Sequence, residues 1–278
     1  MERRQRTSLS LRGGVQRQMT NNLNAYIDWL EAGGVSQGTI RLRLCHLGRF
    51  SETAEMDTAT VDDIVAWLQQ PGWKPETRKS YRASLRSYYQ WLHKTGRRQD
   101  DPTIHTRPIK SPPRVHKTAT REALDAALDK AKDRDALAVL LAAYAGLRRA
   151  EIAGLHASSI YPNHLVIKGK GGRERRIPIH PRLAPFLKDA QARGGYLFPN
   201  CDGAPVTPDA MGRRIARLLP DGFSAHALRH FFATEIYRQT KDLRATQTLL
   251  GHSSVATTEI YVATDEDALL AAVASLAS

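Results

Sequence analysis

The chain has 278 residues and a formal charge of +13, because it contains 41 Lys and Arg but 28 Asp and Glu. This length favours two domains, and a hydrophobic fraction of 41% is typical of folded globular proteins. No apolar run approaches the roughly 18 residues of a membrane span, and two cysteines, Cys45 and Cys201, are too few for a disulfide framework. We therefore expect a cytoplasmic protein without a membrane partner, whose charge suits a polyanion such as nucleic acid.

The first residues predict a basic arm that precedes a helical domain. Residues 1–15 are rich in arginine and have little apolar surface to bury, which indicates a flexible segment. Apolar residues then recur at helical spacing in four stretches, which predict helices over 19–30, from near 39, from about 60 and after Pro75. Four helices with short connections favour a compact bundle, and we assign residues 16–107 to it.

The fourth predicted helix carries a basic face. Arg78, Arg82 and Arg86 recur every four residues with Lys79 beside them, and only Glu76 interrupts the positive charge nearby. A solvated helix face is the plain alternative, but contact with DNA phosphates is favoured. The expected DNA-binding residues include two on the second predicted helix and one after a later glycine-rich turn: Arg41, Arg43, Arg78, Lys79, Arg82, Arg86 and Arg173.

Prolines mark the connection between the two halves of the chain. Several lie between Gly96 and Pro113, so we expect this segment to be extended. We place the linker itself at residues 108–115 and a second domain at residues 116–278.

The second half predicts further helices and one β-hairpin. Leu165–Ile167 and Ile177–Ile179 flank a glycine-rich reversal, which favours two antiparallel strands. Helical spacing predicts the other elements over residues 121–132, 135–145, 182–192, 208–219, 225–239, 243–250, 254–262 and 265–276. The expected fold class is therefore mainly α with a small β-hairpin.

Two local patterns place basic side chains at turns. In AGLRRAEI a helix ends at Gly146, and Arg148 opens a new helix with Glu151 three residues later on the same face. In KGKGGR the glycines present Lys170 at a hairpin tip, without the spacing of an ATP-binding phosphate loop. An intrahelical ion pair and a plain β-turn are the respective alternatives.

Two further patterns contain histidines. His226 and His230 are four residues apart at a helix start, but Arg229 between them and the lack of nearby acidic or cysteine ligands argue against zinc. Arginine and histidine at a helix start suit an anion instead, because backbone N–H groups and the helix dipole add to the attraction. In LLGHSSVATTEIY, Tyr261 lies nine residues after His252, and packing is the plain interpretation of one tyrosine.

Taken in order, the four patterns resemble the tyrosine recombinase (phage integrase) family. The strongest stretches are AGLRRAEIAGL, IKGKGGRERRIPI, HALRHFFAT and LLGHSSVATTEIY, and the resemblance extends from about residue 16 to the end. It implies a SAM-like helical core-binding domain that binds DNA, followed by a catalytic domain. The short segment before the core-binding helices favours a minimal, integrase or Xer-like type without an arm-binding domain.

The resemblance implies a role for each matching residue. Arg148 and Arg229 would clamp the scissile phosphate, with Glu151 as a support, and Tyr261 would be the nucleophile that forms a 3′-phosphotyrosyl link. The general base, the general acid and a further phosphate-binding group would be His226, Lys170 and His252. Exchange of one phosphoester for another implies no metal, no ATP and no other cofactor.

The resemblance also implies an assembly. Members of the family act as homotetramers on two short inverted-repeat DNA sites, through a Holliday junction, with accessory proteins as additional candidates. Residues 265–276 resemble the helix that docks on a neighbouring subunit, and packing on its own domain is the alternative. The expected function is site-specific DNA recombination by an integrase. The alternatives are Xer-like resolution of chromosome or plasmid dimers, type IB topoisomerase-like nicking and closing, and DNA binding with dormant cleavage.

Overall fold

The computed structural model describes residues 14–112, 117–169 and 172–251. Within these ranges the chain is mainly helical with a two-stranded antiparallel sheet, so the predicted fold class is confirmed. The chain divides into two compact units, Met1–Pro113 and Arg114–Ser278, here called the N-terminal and C-terminal units. Among the described helices, none combines the length and apolar character that crossing a bilayer requires.

The described part of the N-terminal unit contains the helices that the apolar spacing predicted. They are α1 (Gly14–Ala32), α2 (Gln37–Ser51), α3 (Val61–Leu68) and α4 (Pro75–Lys94). Side-chain caps define two of their starts: the Ser36 hydroxyl accepts the Thr39 N–H before α2, and Thr60 and Asp63 form a reciprocal capping box at α3. Because α1 begins at Gly14, residues 14 and 15 are helical although the sequence assigned them to the arm.

The core of the N-terminal unit is largely aromatic. Tyr26 of α1 packs edge-on against Tyr88 of α4, with ring centroids 5.2 Å apart, and also contacts Trp91. Phe50 of α2 packs edge-on against Trp67 of α3, with centroids 5.1 Å apart. Such contacts fix ring orientations as well as burying apolar area. The four helices therefore share one specifically packed core.

The segment after α4 is folded against the N-terminal unit. Arg98 donates from Nη1 to the Met56 carbonyl at 3.2 Å and from Nη2 to the Ala59 carbonyl at 2.7 Å. Thr106 is buried, and Arg82 of α4 donates to its hydroxyl at 2.9 Å and to its carbonyl at 2.6 Å. The prediction of an extended segment from Gly96 is therefore wrong as far as Thr106, because tertiary hydrogen bonds hold it to the unit.

The C-terminal unit packs α6 against α10 and adds a hairpin. Residues 136–143 of α6 are all buried, which makes this helix the centre of the core. The described helices of the unit are α5 (Arg121–Lys130), α6 (Asp133–Tyr144), α7 (Arg149–Ala153), α8 (Ala184–Arg193), α9 (Pro208–Leu218), α10 (Ala225–Thr240) and α11 (Leu243–Leu250), with a 3₁₀ turn at Ala157–Ser159. The predicted helices over 254–262 and 265–276 lie outside the described residues.

The hairpin pairs β1 (His164–Lys168) with β2 (Glu174–Pro178) in antiparallel register. Leu165 lies opposite Ile177, and both side chains are buried in the core of the unit. One face of the hairpin is thereby fixed against the helices, and alternate residues of β2 point to the same buried face.

We predict that Arg82→Ala destabilises the N-terminal unit by about 1–3 kcal/mol, because the buried hydroxyl and carbonyl of Thr106 lose their guanidinium partner. The measurement is urea unfolding followed by tryptophan fluorescence, which reports on this unit alone since Trp29, Trp67, Trp73 and Trp91 all belong to it. Arg86→Ala, one turn further on α4 and exposed, is the control and should change stability by less than about 0.5 kcal/mol. Equal shifts for the two variants would contradict this account.

Candidate active site

A tight turn between α6 and α7 positions Arg148. Gly146 lies in this turn with φ +60°, and a Cβ at this position would come within 2.4 Å of the Phe232 ring. Glycine fits because it has no Cβ and adopts the left-handed backbone without steric cost. Arg148 follows with extended backbone, φ −72° and ψ 152°, and directly precedes α7. The turn therefore fixes the point from which the Arg148 side chain leaves the backbone.

Among the described residues, three arginines surround the Glu151 carboxylate. Its Oε2 accepts the backbone N–H of Arg148 at 2.9 Å, and its Oε1 accepts Nη1 of the same residue at 3.0 Å. Arg175 donates from Nη1 and Nη2 to the two carboxylate oxygens at 2.9 and 2.7 Å. Nη1 of Arg229 lies 3.9 Å from Oε2. The predicted contact between Arg148 and Glu151 is thus one part of a larger arrangement, called here the arginine cluster: Arg148, Glu151, Arg175 and Arg229.

The arginine cluster keeps Glu151 ionised. Burial by itself raises the pKa of this carboxyl, but hydrogen bonds from Arg175 and from the Arg148 backbone, with the charges of both arginines, bring the pKa below its ordinary value. Because the folded-state pKa is depressed, the resulting stabilisation is present above the pKa of the unfolded chain and is lost as the pH falls through the folded-state pKa. At neutral pH three guanidiniums and one carboxylate leave an excess of two positive charges.

Arg229 is the buried member of the cluster, with 2% of its surface exposed. Its Nη2 donates to the Leu250 carbonyl at 2.7 Å, and its Nη1 donates to the Gly146 carbonyl. A buried cation is tolerated only when hydrogen bonds and an opposite charge replace its hydration, and Glu151 supplies that charge. Arg229 therefore joins the α6–α7 turn to the end of α11.

Arg148 and Arg229 line a common cleft with His226, here called the arginine cleft. His226 is exposed in the first turn of α10, and its ring packs edge-on against that of His230 with centroids 4.4 Å apart. The other lining residues include Arg149, Ala150, Asp209, Gly212 and Arg213. Converging guanidiniums beside a helix N-terminus favour an anion such as a phosphate. In the described part of the chain, no three His, Cys, Asp or Glu side chains cluster as metal ligands would.

Four of the predicted catalytic residues are close together in the described structure: Arg148, Glu151, His226 and Arg229. Lys170, His252 and Tyr261 lie outside the described residues, so their places stay predictions. Gly251, the residue before His252, is the last described residue, and it follows α11 with φ +63°. Lys170 belongs in sequence to the tip of the hairpin whose strands are paired up to Lys168 and Glu174.

Arg175 is a site residue that the sequence analysis missed. Only 8% of its side chain is exposed, and its Nε donates to the Leu249 carbonyl at 3.0 Å. The strand pattern contained a signal, because alternate residues of a strand share a face and Ile177, two residues on, is apolar. An arginine on the buried face of a strand requires a charged partner, and Glu151 is that partner.

The N-terminal unit has a second cationic surface, here called the basic groove. Of the predicted DNA-binding residues, Arg43 of α2 lines it together with three from α4: Lys79, Arg82 and Arg86. The groove also contains Trp29, Trp91 and Lys94. Arg41 and Arg78 are not among its described lining residues, and Arg173 lies in the hairpin of the other unit as an exposed side chain. The structure therefore groups four of the seven predicted residues.

Residues 114–267 match the phage integrase family. A curated relative, tyrosine recombinase XerC of Neisseria meningitidis serogroup B, is 31% identical over 274 residues, which are 88% of this chain and 91% of the relative. Tyrosine recombinase XerD of Pseudomonas aeruginosa is 31% identical over 269 residues, which are 87% of this chain and 83% of the relative.

Solved structures share the fold. A lambda integrase dimer bound to a COC′ core site superposes with a TM-score of 0.70 at 21% identity, over 87% of this chain and 76% of that one. The XerH site-specific recombinase bound to its difH substrate gives a TM-score of 0.65 at 23% identity, over 94% of this chain and 84% of that one.

Proposed function

The chain belongs to the phage integrase family of tyrosine recombinases, and from this premise we propose that it cuts and rejoins double-stranded DNA at specific sites through a 3′-phosphotyrosyl intermediate and a Holliday junction. The observation that carries the proposal is the arginine cleft. There Arg148 and Arg229 meet around the buried Glu151 carboxylate, with His226 and the N-terminus of α10 beside them.

In this proposal the arginine cleft holds the scissile phosphate. The Arg148 side chain is 41% exposed and so is able to reach a non-bridging oxygen, while Arg229 supplies a fixed positive charge from the interior. Two guanidiniums stabilise the negative charge that builds up on a pentacoordinate phosphorus, and a pre-organised site needs no reorganisation at that moment. Glu151 limits the repulsion between the arginines and sets the direction of Arg148.

Tyr261 is the proposed nucleophile. Its oxygen bonds to phosphorus while the bond from phosphorus to the 5′-oxygen breaks, which leaves a 3′-phosphotyrosyl link and a free 5′-hydroxyl. His226 accepts the phenol proton, Lys170 gives a proton to the departing 5′-oxygen, and His252 hydrogen-bonds the phosphate. Attack by a 5′-hydroxyl from another strand reverses the step. One phosphoester replaces another, so the proposed reaction needs neither ATP nor a metal.

The basic groove is the proposed DNA-binding surface of the N-terminal unit. Arg43, Lys79 and Arg86 are spaced along α2 and α4 and present cations to one surface, which suits the regular negative charge of a DNA backbone. Arg82 belongs to the same groove but is held by Thr106, so its main effect is on folding.

For the assembly we propose a homotetramer on two DNA sites in which residues 265–276 dock on a neighbouring copy. This segment places Leu269, Val273 and Leu276 at helical spacing, which predicts an apolar face. The C-terminal unit has a groove whose apolar part is lined by Ile179, Phe231, Phe232, Ile236 and Leu249, with charged side chains such as Arg121, Asp125, Arg182 and Glu235 also in its lining.

Two biological roles share this chemistry. Integration into a target site is the main proposal. Relatives named XerC and XerD support dimer resolution as a second candidate. The DNA sequence on which the protein acts decides between the two roles. Attachment-like repeats would indicate integration by a mobile element, and a single chromosomal site would indicate dimer resolution.

We predict that Tyr261→Phe abolishes covalent attachment to DNA, because the phenyl ring has no oxygen to bond to phosphorus. The substrate is a pool of duplexes with a randomised core and a nick near the cleavage point. The short fragment that carries the free 5′-hydroxyl then diffuses away, which prevents religation and traps the adduct. Protein-linked DNA is then isolated in detergent and sequenced. Tyr161→Phe, an exposed tyrosine of the same unit, is the matched control and should attach as the unaltered chain does.

Attached DNA with a common core sequence supports the proposal, and the same duplex then serves in further assays. Absence of any adduct from the unaltered chain would overturn it. Relaxation of supercoiled DNA without a recognition site, by a monomer, would favour nicking and closing over recombination.

We predict that binding to the recovered duplex weakens steeply with salt, with a slope near −7 for log K against log salt if about eight phosphates are contacted. Lys79→Ala with Arg86→Ala should reduce the magnitude of this slope by about 1.8, since each contact contributes about 0.9. Lys188→Ala with Arg193→Ala on α8 removes the same charge outside the groove, and it should leave the slope unchanged. Identical slopes for the two double variants would exclude the basic groove from the interface.

A further inference from the structure

Among the described residues, Arg175 makes the shortest hydrogen bond to the Glu151 carboxylate. It forms a two-pronged contact with the carboxylate, at 2.9 Å to Oε1 and 2.7 Å to Oε2. Such a paired contact fixes the plane of a carboxylate as well as its position, because the guanidinium is a rigid fork. With 8% and 7% of their side chains exposed, the two residues form a buried pair.

The same carboxylate oxygens orient Arg148. Oε1 accepts from Nη1 of Arg148 and from Nη1 of Arg175, while Oε2 accepts the Arg148 backbone N–H and Nη2 of Arg175. Arg148 is exposed enough to turn elsewhere, and Glu151 is the described acidic group that restrains its side chain. The direction of Arg148 therefore depends on the plane that Arg175 imposes on Glu151.

Arg175 is itself anchored to the end of α11. Its Nε donates to the Leu249 carbonyl at 3.0 Å, at a helix end where the last carbonyls have no partner within the helix. Gly251 packs against the arginine side chain, since a Cβ there would lie 2.9 Å from its Cδ. All three guanidinium nitrogens are thus used inside the protein, and with little exposed surface Arg175 is not placed to bind DNA.

We propose that Arg175 is a positioning residue for the recombination reaction, which orients the phosphate-binding arginine Arg148 through Glu151 from an anchor on α11. This inference rests on the proposed function and adds to it a residue that does not touch the substrate. Lysine cannot replace Arg175, because an ammonium group cannot donate the pair of parallel hydrogen bonds that a guanidinium gives to a carboxylate. It also has no counterpart of the Nε donor.

The test compares Arg175→Lys with the unaltered chain in single-turnover cleavage of the recovered duplex at saturating DNA. We expect the rate constant to fall roughly 10- to 100-fold, since a small misplacement of a catalytic group costs rates of this order. We expect the Kd for DNA to change by less than about twofold. A loss of about 1.4 kcal/mol in binding free energy would instead change the Kd tenfold. Arg176→Lys, exposed on the opposite face of the same strand, is the matched control and should leave both unchanged.

A merely structural role for Arg175 would lower the fraction of active molecules, seen as the reaction amplitude, without slowing those that react. The second measurement is a double-mutant cycle with Arg148→Lys. If Arg175 acts through Arg148, adding Arg175→Lys to that variant slows cleavage much less than it slows the unaltered chain. Should Arg175→Lys fail to fold, Glu151→Gln serves in the same assays, because it keeps the side-chain shape and removes the charge.

Loss of amplitude alone, or independent effects of the two substitutions, would overturn the role of Arg175. A normal rate constant for Arg175→Lys beside an active unaltered chain would overturn it as well and leave the proposed function intact. No cleavage by the unaltered chain would overturn the proposed function, and this inference with it.

Discussion

The site depends on the interaction of the buried Glu151 carboxylate with three arginines. Three guanidiniums of like charge meet in one place, and Arg229 is nearly inaccessible to water. Without a negative charge between them, repulsion and lost hydration would oppose this arrangement. One carboxylate makes it stable and still leaves a net positive charge. The cluster is therefore held together internally while it stays attractive to a phosphate.

Elements distant in the sequence meet at this carboxylate. The α6–α7 turn supplies Arg148, β2 supplies Arg175, and α10 supplies Arg229. Two of these arginines also bind the last carbonyls of α11, at Leu249 and Leu250. The described chain is thereby held at its end, immediately before His252, by two arginines of the arginine cluster. A fixed support of this kind is what lets a site stabilise charge without reorganising.

The sequence predicted the elements whose causes are local. Helical spacing and a glycine-rich reversal each act within a few residues, and the helices and hairpin that they predict within the described residues are present. Family resemblance predicted Arg148, Glu151, His226 and Arg229 as neighbours. The features that the sequence did not predict arise from contacts between residues that are distant in the chain. Arg175 finds its partner 24 residues away, and the segment ending at Thr106 is folded because Arg82, also 24 residues away, binds it.

The most direct test of whether the Glu151 carboxylate holds the arginines together is a measurement of its pKa in the folded protein. Carbon-13 labelling of glutamate carboxyls, with Glu151→Gln to assign the signal, follows its titration by NMR. We predict a pKa below the ordinary value of a glutamate, because hydrogen bonds and positive charge from the arginines outweigh the effect of burial. A pKa at or above the ordinary value would contradict the account, since the carboxylate would then not be the charge that holds the arginines together.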